Sequence, residues 1–308
     1  MRPYRPEDGP AWDAFVRAAR VPHFLFERAY MDYHSDRFED ASRLVEVDGA
    51  LAAVLPANRD GTTIWSHQGL TFGGLLSGAA MTARRTLEAF AAVTDHLQNE
   101  GVTRLMYKAV PHIYHAAPAE EDLYALHRHG ATLSRRDLSS AIDLARAPAY
   151  RKGRKASLKR ARESGLRARP SDDFGAFMAI EEATLARHGA ISTHSGEELS
   201  LLASRFPDQI ALHVVEDVAG VVVYRTPVLD HAQYIGSTEQ GREVGAVDLL
   251  IDALIERARA DGKRWFDFGI STTDDGRHLN EGLVRNKESY GARGVAYDRY
   301  ELDLKVLG

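Results

Sequence analysis

The 308-residue chain contains no cysteine. That excludes disulfides, thiolate metal sites and a cysteine nucleophile, and fits a reducing compartment. No apolar run approaches the roughly 20 residues needed to cross a bilayer, so no membrane partner is expected. The opening stretch MRPYRPEDGPAWDAF lacks the apolar core of a secretion signal, and the expected location is cytoplasmic. Neither a G-x-S-x-G elbow nor a phosphate-binding P-loop occurs. His112 and His115, then His127 and His129, are close in sequence, but no carboxylates complete a ligand set, so no metal is expected. A global surplus of positive charge is also missing: the formal net charge is -5. Any nucleic-acid contact must therefore come from a local patch.

What is present is the composition of a soluble globular protein, with 44% hydrophobic and 27% charged residues over a length that suits two domains. In the C-terminal half, ALHVVED (211–217) and GVVVYRT (220–226) read as a hairpin, followed by the strand HAQYIGS (231–237). Val247, Leu250, Ile251, Leu254, Ile255 and Ala258 then recur at helical spacing, and Gly262 suits the helix end. RWFDFGIS (264–271) is a further strand, LNEGLVRNKESYG (279–291) a second helix, and VAYDRYELDLKV (295–306) a closing strand.

The N-terminal half repeats this order more loosely. A hairpin turns at Asp48-Gly49 within SRLVEVDGALAAVLPAN. The strand-like TTIWSHQGLTFGG, the helix TARRTLEAFAAVTDHLQNEG, the strand RLMYKAV, the helix EEDLYALHRHG and the strand SSAIDL follow. Two copies of one α/β unit are expected, as domains 1–145 and 171–308 joined by a basic segment, 146–170.

That segment contains RKGRKASLKRARESGLRARP (151–170), in which nine residues are Lys or Arg and only Glu163 is acidic. Outside the stretch, 30 basic residues face 43 acidic ones. Lys155, Lys159 and Arg162 fall on one helical face. The stretch is either a solvated helix or a rim that binds phosphate beside a cleft between the two copies.

Other candidates follow from spacing. The segment EQGREVGAV joins a strand to a helix start, where exposed N–H groups suit an anion, or where a tight connection simply needs Gly245. Asp267 is a carboxylate in an apolar strand, suited to accept a proton from an ammonium or to cap a turn. His67 and Gln68 precede three glycines in SHQGLTFGG, and His67 is a candidate base or a structural histidine. In the strand HAQYIGS, strict alternation puts His231, Gln233 and Ile235 on one face and Tyr234 on the other. His231 and Gln233 are therefore candidate substrate contacts.

The C-terminal half resembles the GNAT acyltransferase superfamily, whose pyrophosphate loop reads [Q/R]-x-x-G-x-[G/A]. Arg242 and Gly245 match it, while Val247 stands where a small residue is usual. The two-copy order, the basic segment, FDFG, LNEGLVRNKESYGARG, YHSDRFED, LPAN and AQYIGS resemble the FemABX-like branch. The resemblance spans roughly residues 25–305. It implies an α/β fold of two tandem GNAT-like domains, the first degenerate, and transfer of an acyl or aminoacyl group onto the amine of a small metabolite. It implies no tightly bound cofactor. The cosubstrate would be aminoacyl-tRNA, making tRNA a partner, or else acyl-CoA. Arg242, Gly245 and Asn280 would bind the donor. Many GNAT enzymes carry a tyrosine seven residues after a helix asparagine to protonate the leaving thiolate. Here that position is Lys287, which would stabilise an oxyanion or departing alkoxide. Val247, Lys287 and the basic stretch tilt the reading toward a tRNA ester. A non-catalytic RNA-binding module of the same fold is the reading from another class.

Overall fold

A computed structural model describes residues 1–146, 149–186, 189 and 191–305. Positions 147 and 148 of the connecting segment, and Val306 of the expected closing strand, lie outside the described residues. The chain forms two compact units that are discontinuous in sequence. Unit 1 comprises residues 1–137, 274–278 and 296 onward, and unit 2 comprises 138–273 and 279–295. The expected boundary at 145/146 thus differs from the observed one. The strands Thr132–Asp143 and Arg293–Asp303 each run from one unit into the other, and the basic segment belongs to unit 2.

Unit 1 contains the hairpin Arg43–Val47 and Ala50–Leu55, turned by Asp48 and Gly49 with φ of 54° and 78°. Two successive positive φ values are the mark of a type I′ turn. Ala83–Asn99 is a helix capped by Thr82, and Glu121–Arg128 is a second. Their apolar faces bury Phe90, Leu97 and Leu126 against Ile64, Leu105 and Tyr107. Each such side chain contributes roughly 1.5–3 kcal/mol by leaving water. The expected strand 62–74 is a strand only over Thr63–Trp65. Beyond it the backbone loops around Lys108, whose ammonium donates to the carbonyls of Gln68 and Leu70.

In unit 2 the strands pair in the order Arg169–Ser171, Ile210–Val215, Ala219–Arg225, Leu229–Ser237, Trp265–Ile270 and then residues 139–143. All neighbours are antiparallel except Leu229–Ser237 with Trp265–Ile270, which run parallel. The connection expected at 239–247 is itself helical over Glu239–Val244, and Gly245, at φ 76°, separates it from the helix Ala246–Ala260. The second buries Leu250, Leu254, Ile255 and Ala258 against Val221, Val223, Ala232, Phe266 and Phe268. Helix Phe174–Ala186 covers the opposite face, with Phe177 resting on Gly220. Its sequence, FGAFMAIEEATLA, scatters apolar residues around the axis, so no periodic stripe announces it.

Candidate active site

The site is built where the parallel pair of unit 2 comes apart. Leu229, Asp230 and His231 pair with Trp265, Phe266 and Asp267, and no further pair follows, although the first strand runs on to Ser237. Each strand carries one extra residue just past that point. Tyr224 faces His231 and Val222 faces Tyr234, so Gln233 is an insertion relative to the neighbouring strand. On the other side Asp267 faces Ala141 and Ile270 faces Ser139, with Gly269 at φ 74° in between. Bulges bend strands and re-aim side chains, and the carboxyl end of parallel strands is where α/β sheets bind ligands.

The first bulge changes which side chains meet. Tyr224 and Val222 are two apart, hence on one face, so their partners His231 and Tyr234 share that face too. Ile235 instead packs into the apolar core on the other side. The expectation that His231 and Ile235 lie together with Tyr234 opposite is therefore corrected: one inserted residue reverses the alternation.

Asp267 is fully buried, at 0% exposure. Its Oδ1 accepts from Ser139 Oγ at 2.6 Å, and its Oδ2 lies 2.7 Å from Nδ1 of His231. With an ionised carboxylate as acceptor, Nδ1 carries the ring proton and Nε2 is the basic nitrogen. The imidazole edge is 3.3 Å from where a side chain on Gly269 would begin, so a Cβ there would press on the ring, and the φ of 74° itself favours glycine. Ser139 was not among the expected residues. It comes from SSAIDL, and nothing in that strand shows its register against Trp265–Ile270.

Lys287, 5% exposed, lies on the helix Glu281–Glu288 and donates to the carbonyls of Gly269 and Ile270 at 2.8 Å each. Burial brings its pKa down to about 8, against the opposing pull of Asp267. An ammonium has three donors, and two are spent on the bulged strand. Asn280 lies just before this helix, and its Oδ1 accepts from Leu283 N at 3.0 Å as the N-cap.

Farther along the same face, Tyr234 Oη and His194 Nδ1 share a 2.5 Å hydrogen bond. Glu181, from the helix Phe174–Ala186, lies at Gly236, where its backbone is 3.1 Å from the position of an added Cβ. It is 3% exposed, its Oε2 has no hydrogen-bond partner, and burial raises its pKa to about 7.

The segment expected to expose N–H groups to an anion is helical in its first part. Residues 239–244 are helical under a Thr238 cap, Arg242 donates back to the Ser237 carbonyl at 3.2 Å, and Gly245 abuts Ser157 of the helix Lys152–Glu163. That basic helix packs on Ala246–Ala260 through Arg154 to Asp248 and through Arg162 to Asp252 at 2.7 Å. Part of its charge is thus spent on packing. Lys159 pairs with Glu163 at 3.6 Å, while Lys152, Lys155 and Arg160 make no ion pair among the described residues.

His67 and Gln68 belong to unit 1. His67 has φ 67°, stacks on His34 at 5.1 Å, and has a pKa lowered to about 3 by burial and by neighbouring His34, Lys108 and Arg28. Gln68 is held by Asn58, at 2.7 Å through both its amide oxygen and its backbone N–H.

Residues 148–276 match the family model described as an acetyltransferase (GNAT) domain. No functionally curated protein matches the sequence significantly. Among solved structures, FemX aligns over 98% of this chain and 97% of its own, with TM-score 0.72 and 10% identity. L-PGS from Bacillus licheniformis aligns over 96% and 90%, with TM-score 0.60 and 14% identity. A tandem GNAT protein from the clavulanic acid biosynthesis pathway aligns over 98% and 97%, with TM-score 0.52 and 14% identity. Residues 148–276 thus resemble a GNAT acetyltransferase domain, and they hold the mixed sheet flanked by helices that parts between two parallel strands. Over its whole length the chain has the fold of FemX and of the tandem GNAT protein.

Proposed function

We propose that the chain is an N-acyltransferase that forms an amide on the amine of a small metabolite, with aminoacyl-tRNA as donor. The observation that carries the chemistry is the buried Ser139–Asp267–His231 chain at the point where the parallel strands separate. The amine nitrogen attacks the donor carbonyl, and His231 Nε2 takes a proton from that nitrogen while Asp267 holds the ring. Lys287 supplies its remaining N–H to the oxygen that gains charge, and as the carbon–oxygen bond of the ester breaks, the proton held on His231 passes to the departing oxygen, which leaves as the free hydroxyl.

The donor assignment rests on Val247, which stands where the pyrophosphate loop usually has a small residue, and on Lys152, Lys155 and Arg160 on the basic helix. Of the expected phosphate contacts, Lys155 makes no ion pair among the described residues, while Lys159 and Arg162 would have to share their charge with Glu163 and Asp252. An acyl-CoA donor is the second reading, favoured by the GNAT domain match. The deciding experiment supplies charged tRNA or a panel of acyl-CoAs, with and without ribonuclease. Turnover with charged tRNA that ribonuclease abolishes supports the first reading, and ribonuclease-insensitive turnover with an acyl-CoA establishes the second. In either case His231→Ala and Asp267→Asn should each lower kcat by ~100-fold or more, as loss of a general base and of its orienting partner does. Wild-type rates in both variants would remove the pair from the mechanism. No turnover of any amine with either donor would leave the RNA-binding reading.

A further inference from the structure

Large apolar side chains are exposed at few places among the described residues, and three of them, Ile270, Leu279 and Leu283, fall close together, at 39%, 41% and 38% exposure. Exposed apolar residues scattered singly need no account, but a group of them marks a surface that something covers. The contacts of unit 2 bring these three to the reaction site. Asp267 faces Ala141 and Ile270 faces Ser139, and positions 139 and 141 share one face of their strand. The bulge at Gly269 therefore turns Ile270 onto the face of Asp267, where regular alternation would have sent it to the other side.

Leu283 and Lys287 are four residues apart on the helix Glu281–Glu288, hence on one face of it. That is the face from which Lys287 reaches the carbonyls of Gly269 and Ile270. Leu283 thus overhangs the end of the strand Trp265–Ile270, one turn nearer the helix start. Leu279 precedes the cap Asn280, whose backbone N–H donates to the Ser271 carbonyl at 2.9 Å. The neighbour of Leu279 is in this way tied to the neighbour of Ile270. Glu281 and Arg285, two residues to either side of Leu283, lie off this face and pair with each other at 3.9 Å.

In the reaction above, the oxygen that gains charge sits ~2.7–3.1 Å from Lys287 Nζ, which puts the carbonyl carbon about 4 Å from it. Side chains four apart on a helix are separated by ~5–6 Å at Cβ, so the carbons that follow the carbonyl come level with Leu283 and Ile270. An acetyl or glycyl group ends before that point and leaves the three side chains wet. We propose that Ile270, Leu279 and Leu283 form an apolar subsite for the chain of the transferred group, and that this group is an aliphatic acyl or aminoacyl group longer than acetyl or glycyl. A cationic chain is disfavoured, because it would lie beside the ammonium of Lys287. This deepens the acyl-transfer reading and rests on it.

The test uses the full chain with 13C-labelled Ile and Leu methyl groups, and acetamide, butyramide and hexanamide as probes. Each probe offers an amide carbonyl to Lys287 and differs from the next only in its chain. The expected result is a saturable shift of the Ile270, Leu279 and Leu283 methyl signals. The apparent Kd should fall by at least ~10-fold from acetamide to hexanamide, the limit at full burial being about fourfold, or ~0.8 kcal/mol, per methylene. Succinamide, polar at its far end, should bind no better than acetamide. Leu283→Asn should remove most of the gain between acetamide and hexanamide. Leu201→Asn, at an exposed position on the helix Gly196–Arg205, should leave that gain unchanged. If Leu283→Asn does not fold, the wild-type series and its methyl signals decide alone. Equal Kd values across the series, shifts confined to other methyl groups, or signals that follow protein concentration instead of probe would overturn the proposal. The amides transfer nothing, so this titration can fail while the turnover assays succeed, and the reverse.

Discussion

Lys287 shows how one side chain can serve structure and chemistry at once. Two of its donors hold the carbonyls of Gly269 and Ile270, which keeps the bulged strand in the shape that leaves room for His231. The cost of burial lowers its pKa to about 8, so its charge is lost within an accessible pH range. The sign is fixed: a lysine is charged below its pKa, so stabilisation of a developing oxyanion should fade as pH rises through 8. We expect kcat of the wild type to fall above pH 8 for this reason. Lys287→Arg, charged at every working pH, should lack that limb, and Lys287→Ala should be slower by ~100-fold with an unchanged circular dichroism spectrum. A pH–rate profile to pH 10 checks this, and a flat wild-type profile would take the ammonium charge out of the mechanism.

At the scale of elements, the site depends on a mismatch between neighbouring strands. Gln233 has no direct counterpart on Ala219–Arg225, and this single insertion puts Tyr234 on the face of His231. Deleting Gln233 should restore strict alternation and send either Tyr234 or His231 to the opposite, apolar side. The expected outcome is a loss of kcat/KM of at least ~100-fold, the scale set by losing one well-placed proton carrier. Gln233→Ala keeps the bulge and should lose less than ~10-fold on the same scale. Equal losses in the two variants would assign the effect to the amide side chain instead. The basic helix teaches a related lesson. Read by charge alone, Lys155, Lys159 and Arg162 form one phosphate-binding face. In the fold, Arg162 and Arg154 are turned to Asp252 and Asp248 and secure the helix to its neighbour.

Across the whole molecule, buried titratable groups oppose one another. His67 and His213 have pKa values lowered to about 3 and about 4, chiefly by burial. A folded-state value below the unfolded one near 6.5 means that stability is full above pH 6.5 and is lost as pH falls toward the folded value. Glu181 and Asp122, raised to about 7 and about 6, run the other way and gain stability as pH falls. Between pH 7 and pH 5 the two pairs largely cancel, so the wild type should change little. Single variants should reveal the parts. His67→Phe should be more stable at pH 5 relative to pH 7 than wild type by about 2 kcal/mol, and Glu181→Gln less stable in the same comparison. Urea unfolding at the two pH values checks both. Identical pH slopes in wild type and His67→Phe would show that the imidazole titrates as it would in water.

Much of the architecture was legible because it rests on local chemistry. The Asp48-Gly49 turn, the strands around 210–237 and 265–270, and the helix ending at Gly262 follow from φ preference and residue period alone. The helices Phe174–Ala186 and Gly196–Arg205 passed unread, the first because it has no apolar stripe. Within the site, Asp267 stands out in the sequence as a carboxylate in an apolar strand, His231 by its place on a strand and Lys287 by the family resemblance, and in the structure all three lie in one unit, with His231 bonded to Asp267 and Lys287 within reach of its charge. Ser139, Glu181, His194 and Tyr234 did not stand out. Their roles depend on strand register, on two one-residue bulges and on the approach of a helix over Gly236. Those are properties of pairs of segments distant in the chain. Alternation along a single strand says which residues share a face only while its pairing is regular, and here the pairing breaks at the site itself. The sequence by itself therefore determined the elements and the kinds of side chain on offer. Only the tertiary structure decided which of them meet, because register and burial are settled by what each strand and helix packs against.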